Sequence, residues 1–417
     1  MNIVSVSWGD HLTFGEADGR LDTPEALGRR LRAWRSELNA TAVHWRVLRA
    51  RIPGRFYAAR GYRHPSQTAA ARVSWDDLAL MPGLSRAAGI EPWLYVSLFD
   101  EGFPLASARE RRTSHHNSMH GQHVAWQSDL ARHHPEWVTI DRAGGTRQWG
   151  VVCLGYPDAR RAFIDRWMRL LDGRGFAGLF VCLRSQSKPA QHADQFGFNE
   201  PVRADFQSRF GRDILRDDFD VHAWRDLRGG YLTTLLRELK DALRPTGCLL
   251  GVGVPRGDVL GPPLGNATLQ WRDWSAGGLV DVLVIDQNSS QCPSMWHQLW
   301  PMHRGYGYLQ DYLTGRNLPP LSDYAEALRS SPTQLHVARQ WCERDPERER
   351  ALLATEGVAG LVFSSFRHDN PQAIARGDWR AAPDGAARKE KRARKSGAQG
   401  KRRARKRKQG KRKNGKS

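Results

Sequence analysis

Eight short apolar runs, each ending in polar residues, set what this chain can fold into. They cover residues 3–7, 42–48, 92–99, 178–183, 248–254, 280–286, 335–340 and 360–365. Between them lie stretches with helical spacing, at about 24–38, 74–88, 157–172, 201–210, 223–243, 271–277, 323–330 and 346–355. In the third of these, Phe163, Ile164, Trp167, Leu170 and Leu171 recur on one face. The first opens with Asp22-Thr23-Pro24-Glu25, where a capping side chain precedes a proline whose missing N–H is harmless in a first turn. Strands that alternate with helices predict an α/β fold with a parallel sheet. Eight such units predict closure as a single (β/α)8 TIM barrel. The rival doubly wound sheet lacks its usual support, since no GxGxxG or P-loop motif occurs. Long loops are expected after strands two, three, four and six, all on the face where the strands end.

Charge divides the chain. The formal net charge is +20, but residues 388–417 hold 17 of the 64 Lys and Arg against one acid, Glu390, so the body carries only +4. That segment has no aromatic or large aliphatic side chain and cannot bury enough apolar area to offset the entropy of ordering. The expected domains are a barrel over 1–380 and a disordered Lys/Arg-rich tail over 381–417. Such a run attracts nucleic acid or an anionic surface by counterion release, without sequence preference; a solvated solubility tail is the plainer reading.

No apolar run approaches the ~20 residues that span a membrane. The opening MNIVSVSWGD enters a strand-like alternation without the basic and apolar regions of a signal peptide, so a cytoplasmic location is expected, with secretion open if translation starts upstream. Five cysteines without a CxxC pair read as free thiols, several of them buried. His115, His116, His120 and His123 have the spacing of helix-borne metal ligands, but their surroundings are loop-like and no HExxH occurs, so they read as lid or cleft residues. No cofactor is called for.

A barrel draws its function from the residues just after each strand. Here they are Asp10 and His11; His44, Trp45 and Arg46; Asp100 and Glu101; Arg184; Arg256 and Asp258; Asp286, Gln287 and Asn288; Trp341 and Glu343; and Arg367, His368 and Asp369. Carboxylates, amides, arginines and tryptophans together suit a polyhydroxylated ligand. The 16 tryptophans strengthen this reading, because flat rings with a polar edge stack on sugar faces, although core packing accounts for about half of them. Glycoside hydrolysis needs two carboxyl groups about 5–5.5 Å apart for retention or about 6.5–9.5 Å for inversion. The candidates are Glu200, Asp286 and Glu343. Trp45, Arg184, Asn199, Asn288, Trp341 and His368 are expected to hold the sugar. A carbohydrate-binding barrel without turnover is the open alternative.

The segment YPDARRAFIDRWMRLLDGRGFAGLFV followed by DQFGFNEPVRADFQSRFG resembles the middle of the glycosyl-hydrolase-like family 10 barrels. Asn199-Glu200-Pro201 also resembles the Asn-Glu-Pro at strand four of many retaining barrel glycosidases, though here it falls well after the strand. Glu343 stands after strand seven, where those enzymes hold their nucleophile. The resemblance implies a carbohydrate-active barrel. One departure is marked: where those relatives often place an Asp at the end of strand four, this chain reads Val181-Cys182-Leu183-Arg184.

Overall fold

A strand that is apolar on both faces must be covered on both, and closing the sheet on itself does this for all eight runs at once. The computed structural model describes residues 1–6, 21, 23–47, 75–103, 126–183, 194–261, 265–287, 319–339 and 346–364. In it β1 (Asn2–Val6), β2 (Ala40–Arg46), β3 (Glu91–Ser97), β4 (Gly178–Cys182), β5 (Leu249–Gly253), β6 (Val282–Ile285), β7 (Gln334–Arg339) and β8 (Val358–Ser364) form a closed barrel. Each strand pairs in parallel with its neighbour in sequence, and β8 returns to β1. Every expected strand is present, with ends shifted by no more than two residues.

The longer helices follow in order: α1 (Pro24–Glu37), α2 (Asp77–Ala87), α3 (Pro157–Leu171), α4 (Glu200–Phe210), α5 (Val221–Leu243), α6 (Trp271–Ala276), α7 (Leu321–Leu328) and α8 (Pro346–Leu353), with one further short helix, Asp129–His133, in the loop after β3. The Thr23 hydroxyl accepts from the Ala26 N–H at 3.1 Å and so caps α1, as the sequence suggests. The outward face of the strands and the inner face of the helices make one continuous apolar layer, which contains Trp34, Trp45, Trp167, Trp271 and Trp274. Trp45 is wholly buried there, and its indole N–H donates to Asp77 at 3.0 Å in the first turn of α2.

Inside the ring, strand tilt and stagger sort the inward side chains into layers drawn from alternate strands. Following the registers, one layer is Ile3, Trp93, Gly251 and His336, from the odd strands. Above it the even strands supply His44, Phe180, Val284 and Val362. Ser5, Tyr95, Gly253 and Ala338 come next, and Arg46 and Cys182 belong to the layer nearest the carboxyl ends. Ring contacts agree: His44 stacks on Phe180 at 4.0 Å, and Tyr95 meets Phe180 edge-on at 5.2 Å. Gly178 closes the bottom, since a Cβ there would lie 2.5 Å from the Trp93 ring.

The loop after β3 is itself folded. Gly102–Phe103 pairs with Trp126–Gln127, and Val138–Ile140 pairs with Arg147–Val152, both antiparallel. Glu101 fastens this insertion to the barrel. Its carboxylate takes two bonds from Arg166 on α3, at 3.0 and 2.6 Å, and its backbone joins Gly150 and Ser128. A second hairpin, Val259–Gly261 with Gly265–Thr268, has no counterpart in the sequence-based expectation. Because Glu101 and Arg166 are both buried, Glu101→Gln strands a buried guanidinium. The substitution should cost about 3 kcal/mol of unfolding free energy, read as a lowered denaturation midpoint in guanidinium chloride.

Candidate functional site

Alternation along β6 points Val282 and Val284 inward and would make Asp286 the next inward residue. The chain departs from the regular ladder there. Asp286 has φ of 59°, the left-handed region, which Asp tolerates better than most residues. The Val254 N–H donates to the Val284 carbonyl at 2.9 Å, and the Gln287 N–H, rather than that of residue 286, donates to the Val254 carbonyl at 3.0 Å. The extra residue acts as a bulge and re-aims the next side chain. Gln287 takes the inward place: a Cβ on Gly253 would fall 1.9 Å from Gln287 Oε1 and 2.6 Å from Phe180 Cζ. Only a glycine at 253 leaves room for that amide.

The Asp286 carboxylate is buried and held by Arg256, with Nε donating at 2.8 Å and Nη2 donating to the other oxygen. Nearby, the Tyr324 hydroxyl accepts from the Gly257 N–H at 2.7 Å. Burial pushes this phenol up to about 12, with Asp258 and Asp286 adding to the shift. On the other side of the ring, Arg46 donates to Ser97 Oγ at 3.0 Å and to Asp100 Oδ2 at 3.2 Å, and its guanidinium lies 5.4 Å from the Tyr95 ring centre. Asp100 is also buried. Among the described residues the carboxyl ends of the strands therefore carry arginine-held carboxylates after β3, at Asp100 and Glu101, and after β6, at Asp286.

Below this rim the lumen turns small and polar. Three of the four positions around Tyr95 are Ser5, Gly253 and Ala338, and Ser5 is partly exposed although Val4 and Val6 beside it are fully buried. His44 forms part of the next layer, and His336 lies one layer deeper. Both imidazoles are wholly buried, and none of their ring nitrogens makes a hydrogen bond of good geometry among the described residues. Burial holds His44 well below the usual histidine value, and the proximity of His336 lowers it further. His336 is lowered to about 4 by burial and by the positive N-terminus, against a small opposing effect of the Gln334 and Met1 backbone.

The residues expected at the site fall in several places. Asp286 stands at the strand end as expected. Glu200 sits exposed in the first turn of α4, with Tyr156 and Arg203 as electrostatic neighbours. Asn199 is buried and engaged by the insertion hairpin: its side chain accepts from the Ile140 N–H at 3.3 Å and donates to the Val138 and Glu136 carbonyls at 3.0 and 3.2 Å. Trp45 faces outward into the helix layer, which leaves no ring face for a sugar; its neighbour Arg46 takes the inward position. Seven described tryptophans, at positions 34, 45, 93, 167, 224, 271 and 274, are core residues.

Arg184, Asn288, Trp341, Glu343, His368, the four histidines at 115–123 and the basic tail lie outside the described residues. Cys153, Cys182 and Cys248 are free thiols, as expected, the first two buried. No helix among the described residues is long and apolar enough to cross a membrane. Strand-end position picked out Asp100 and Arg46 in the sequence, but nothing there singled out Gln287 as inward-facing.

No family model matches the chain, and neither does any curated protein. Solved structures similar to it include the catalytic domain of a β-amylase from Paenibacillus polymyxa, with 8% identity over 88% of this chain and 92% of that one at a TM-score of 0.49. The PgaB (BpsB) glycoside hydrolase domain from Bordetella bronchiseptica shows 13% identity over 90% and 97%, at 0.45. A β-galactosidase from the psychrophilic Marinomonas ef1 shows 11% over 88% and 58%, at 0.42.

The buried histidines make stability depend on pH. Each has a lowered value in the folded state, so the unfolded chain binds more protons once the pH falls below about 6.5. Stability is then full above that value and declines towards pH 4. His336, lowered to about 4, should contribute roughly 3 kcal/mol to this loss. Denaturant titrations of His336→Phe against the parent between pH 7 and pH 4 should show a flatter profile for the variant.

Proposed function

We propose that this barrel is a glycoside hydrolase acting on an oligo- or polysaccharide. The observation that carries the reading is the buried Asp286 carboxylate at the end of β6, clamped by Arg256 on a left-handed bulge. Beneath it the barrel interior holds the buried side chains of Tyr95 and His44 and the buried Oε1 of Gln287. Strained non-glycine backbone at a barrel's carboxyl face is where functional groups concentrate. Asp286, paired with Arg256, fits the nucleophile or the group that stabilises an oxocarbenium-like transition state. Glu200 and Glu343 are the candidates for the proton donor. The Arg46–Asp100 pair and Ser97 orient sugar hydroxyls at the rim, together with Arg184, Asn288, Trp341 and His368.

A second reading draws on the same clamp. Asp100 and Asp286 are both neutralised by arginine, which suits a barrel that binds glycans without cleaving them. The basic segment over 388–417 would add a salt-sensitive hold on nucleic acid or another polyanion to either reading.

Release of reducing ends from a panel of glycans decides between them. Under the hydrolase reading, Asp286→Asn and one of Glu200→Gln and Glu343→Gln lower the rate at least ~100-fold with the fold retained by circular dichroism. Binding without release by the parent protein leaves the binding reading, and equal rates in all three variants remove these residues from the chemistry.

A further inference from the structure

The clamp on Asp286 depends on where the turn after β5 holds Arg256, and burial alone does not hold it. The Arg256 side chain keeps 20% of its surface exposed, against 8% for Asp286. A long side chain at such a place has rotamer freedom to lose, so its backbone must be fixed if both bonds to Asp286 are to persist. Pro255 restrains the backbone on one side of Arg256. On the other side Gly257 has φ of 113°, a conformation that side chains with a Cβ rarely adopt. The buried Gly257 N–H donates to the Tyr324 hydroxyl of α7 at 2.7 Å and has no other hydrogen-bond partner among the described residues. Tyr324 is wholly buried, and its ring stacks on Trp271 at 4.2 Å. The Trp271 indole in turn donates to Asp258 Oδ1 at 2.8 Å, and the Asp258 carbonyl accepts from the Leu269 N–H at 2.8 Å. The two residues that follow Arg256 are thus pinned, the first by Tyr324 and the second by the ring on which Tyr324 stacks.

We propose that Tyr324 is a positioning residue: its hydroxyl fixes the turn at Gly257 and thereby holds the Arg256 guanidinium on Asp286. The inference rests on the reading of Asp286 as a functional carboxylate and adds to it the group that keeps its clamp closed. The hydroxyl bonds to the residue next to the arginine, so it acts through the backbone. Asp258, Asp286 and Arg256 all act electrostatically on the phenol, which places it beside the pair. Burial, the largest of these effects, pushes it up to about 12, so the acceptor at Gly257 is a neutral hydroxyl at ordinary pH. A phenylalanine would fill the same space and keep the stack on Trp271, but it would leave the buried Gly257 N–H without a partner. The turn escapes that cost by rotating the N–H towards water. Rotation about the bonds that flank Gly257 carries Arg256 away from Asp286.

The test reads Arg256 itself, in full-length protein labelled with ¹⁵N-arginine. Its Nε–H signal is identified by its loss in Arg256→Lys. In Tyr324→Phe this signal is expected to shift and to exchange with solvent about tenfold faster than in the parent. The Nε–H of Arg160, which donates to Glu238 at 2.9 Å, should keep its parent position and rate. A role confined to stability would lower the unfolding midpoint and leave the native Arg256 signal unmoved, and that result overturns the inference. If Tyr324→Phe fails to fold, the parent protein decides. The Gly257 N–H and the Arg256 Nε–H should then open together, with protection from exchange equal within about threefold, and an unprotected Gly257 N–H overturns the inference. On any glycan that the parent cleaves, Tyr324→Phe is expected to lower kcat about tenfold and to leave KM within about twofold, because the change falls on the reacting carboxylate rather than on sugar contacts. The arginine signals are read without substrate. Absence of cleavage by the parent therefore sinks only the hydrolase reading, and cleavage with an unmoved Arg256 signal in the variant sinks only the role of Tyr324.

Discussion

Closing eight parallel strands into a ring forces them to tilt and stagger, and the rest of the molecule depends on that constraint. Stagger decides which inward side chains share a level, so it decides where the lumen is filled and where it is open. Trp93 fills the space left by Gly178 and Gly251 near the bottom. Two levels up, Ser5, Gly253 and Ala338 are small, and the Gln287 amide and the Phe180 ring fill the space at Gly253. This level sits just beneath the carboxyl face, which is the face that carries the functional groups of such barrels.

The bulge at Asp286 works within this frame. One extra residue in a left-handed conformation turns the next side chain inward, so Gln287 enters the lumen and Asp286 is held by Arg256. Glycine at 253 is the necessary counterpart, because any Cβ would occupy the space of the amide. Strand end, bulge and facing glycine act as one unit. A comparable arrangement on the opposite side joins Arg46, Ser97 and Asp100 across β2 and β3. Charge at the rim is therefore balanced locally, while the polar groups below it are neutral, since burial keeps His44 and His336 from taking up protons.

The large insertion after β3 shows how a barrel carries a long loop without losing order. A buried bidentate ion pair, Glu101 with Arg166, anchors its start, and Asn199 ties its hairpin to the entrance of α4. Each satisfies backbone or charged groups that burial would otherwise penalise. Asn199 reads in the sequence as a sugar-binding residue next to a candidate acid. In the structure its side chain bonds to the backbone of Glu136, Val138 and Ile140.

Strands and helices were legible because their signal is local: apolar runs bounded by polar residues, helical spacing, and caps such as Thr23. Eight alternations then left a closed barrel as the economical solution. The strand-end rule likewise brought Asp286, Asp100 and Arg46 into view. Orientation was not legible. Trp45 and Arg46 are adjacent, and only strand alternation against a fixed axis sends the tryptophan to the helix layer and the arginine to the lumen. The exchange of Asp286 for Gln287 as the inward residue depends on a single positive φ, and the meeting of His44 with Phe180 depends on the stagger of strands far apart in sequence. The sequence by itself determined the elements, their order and the face that bears the polar residues, because these arise from local periodicity. Only the tertiary structure decided which of those residues face one another, because register and bulges are settled by packing across the ring.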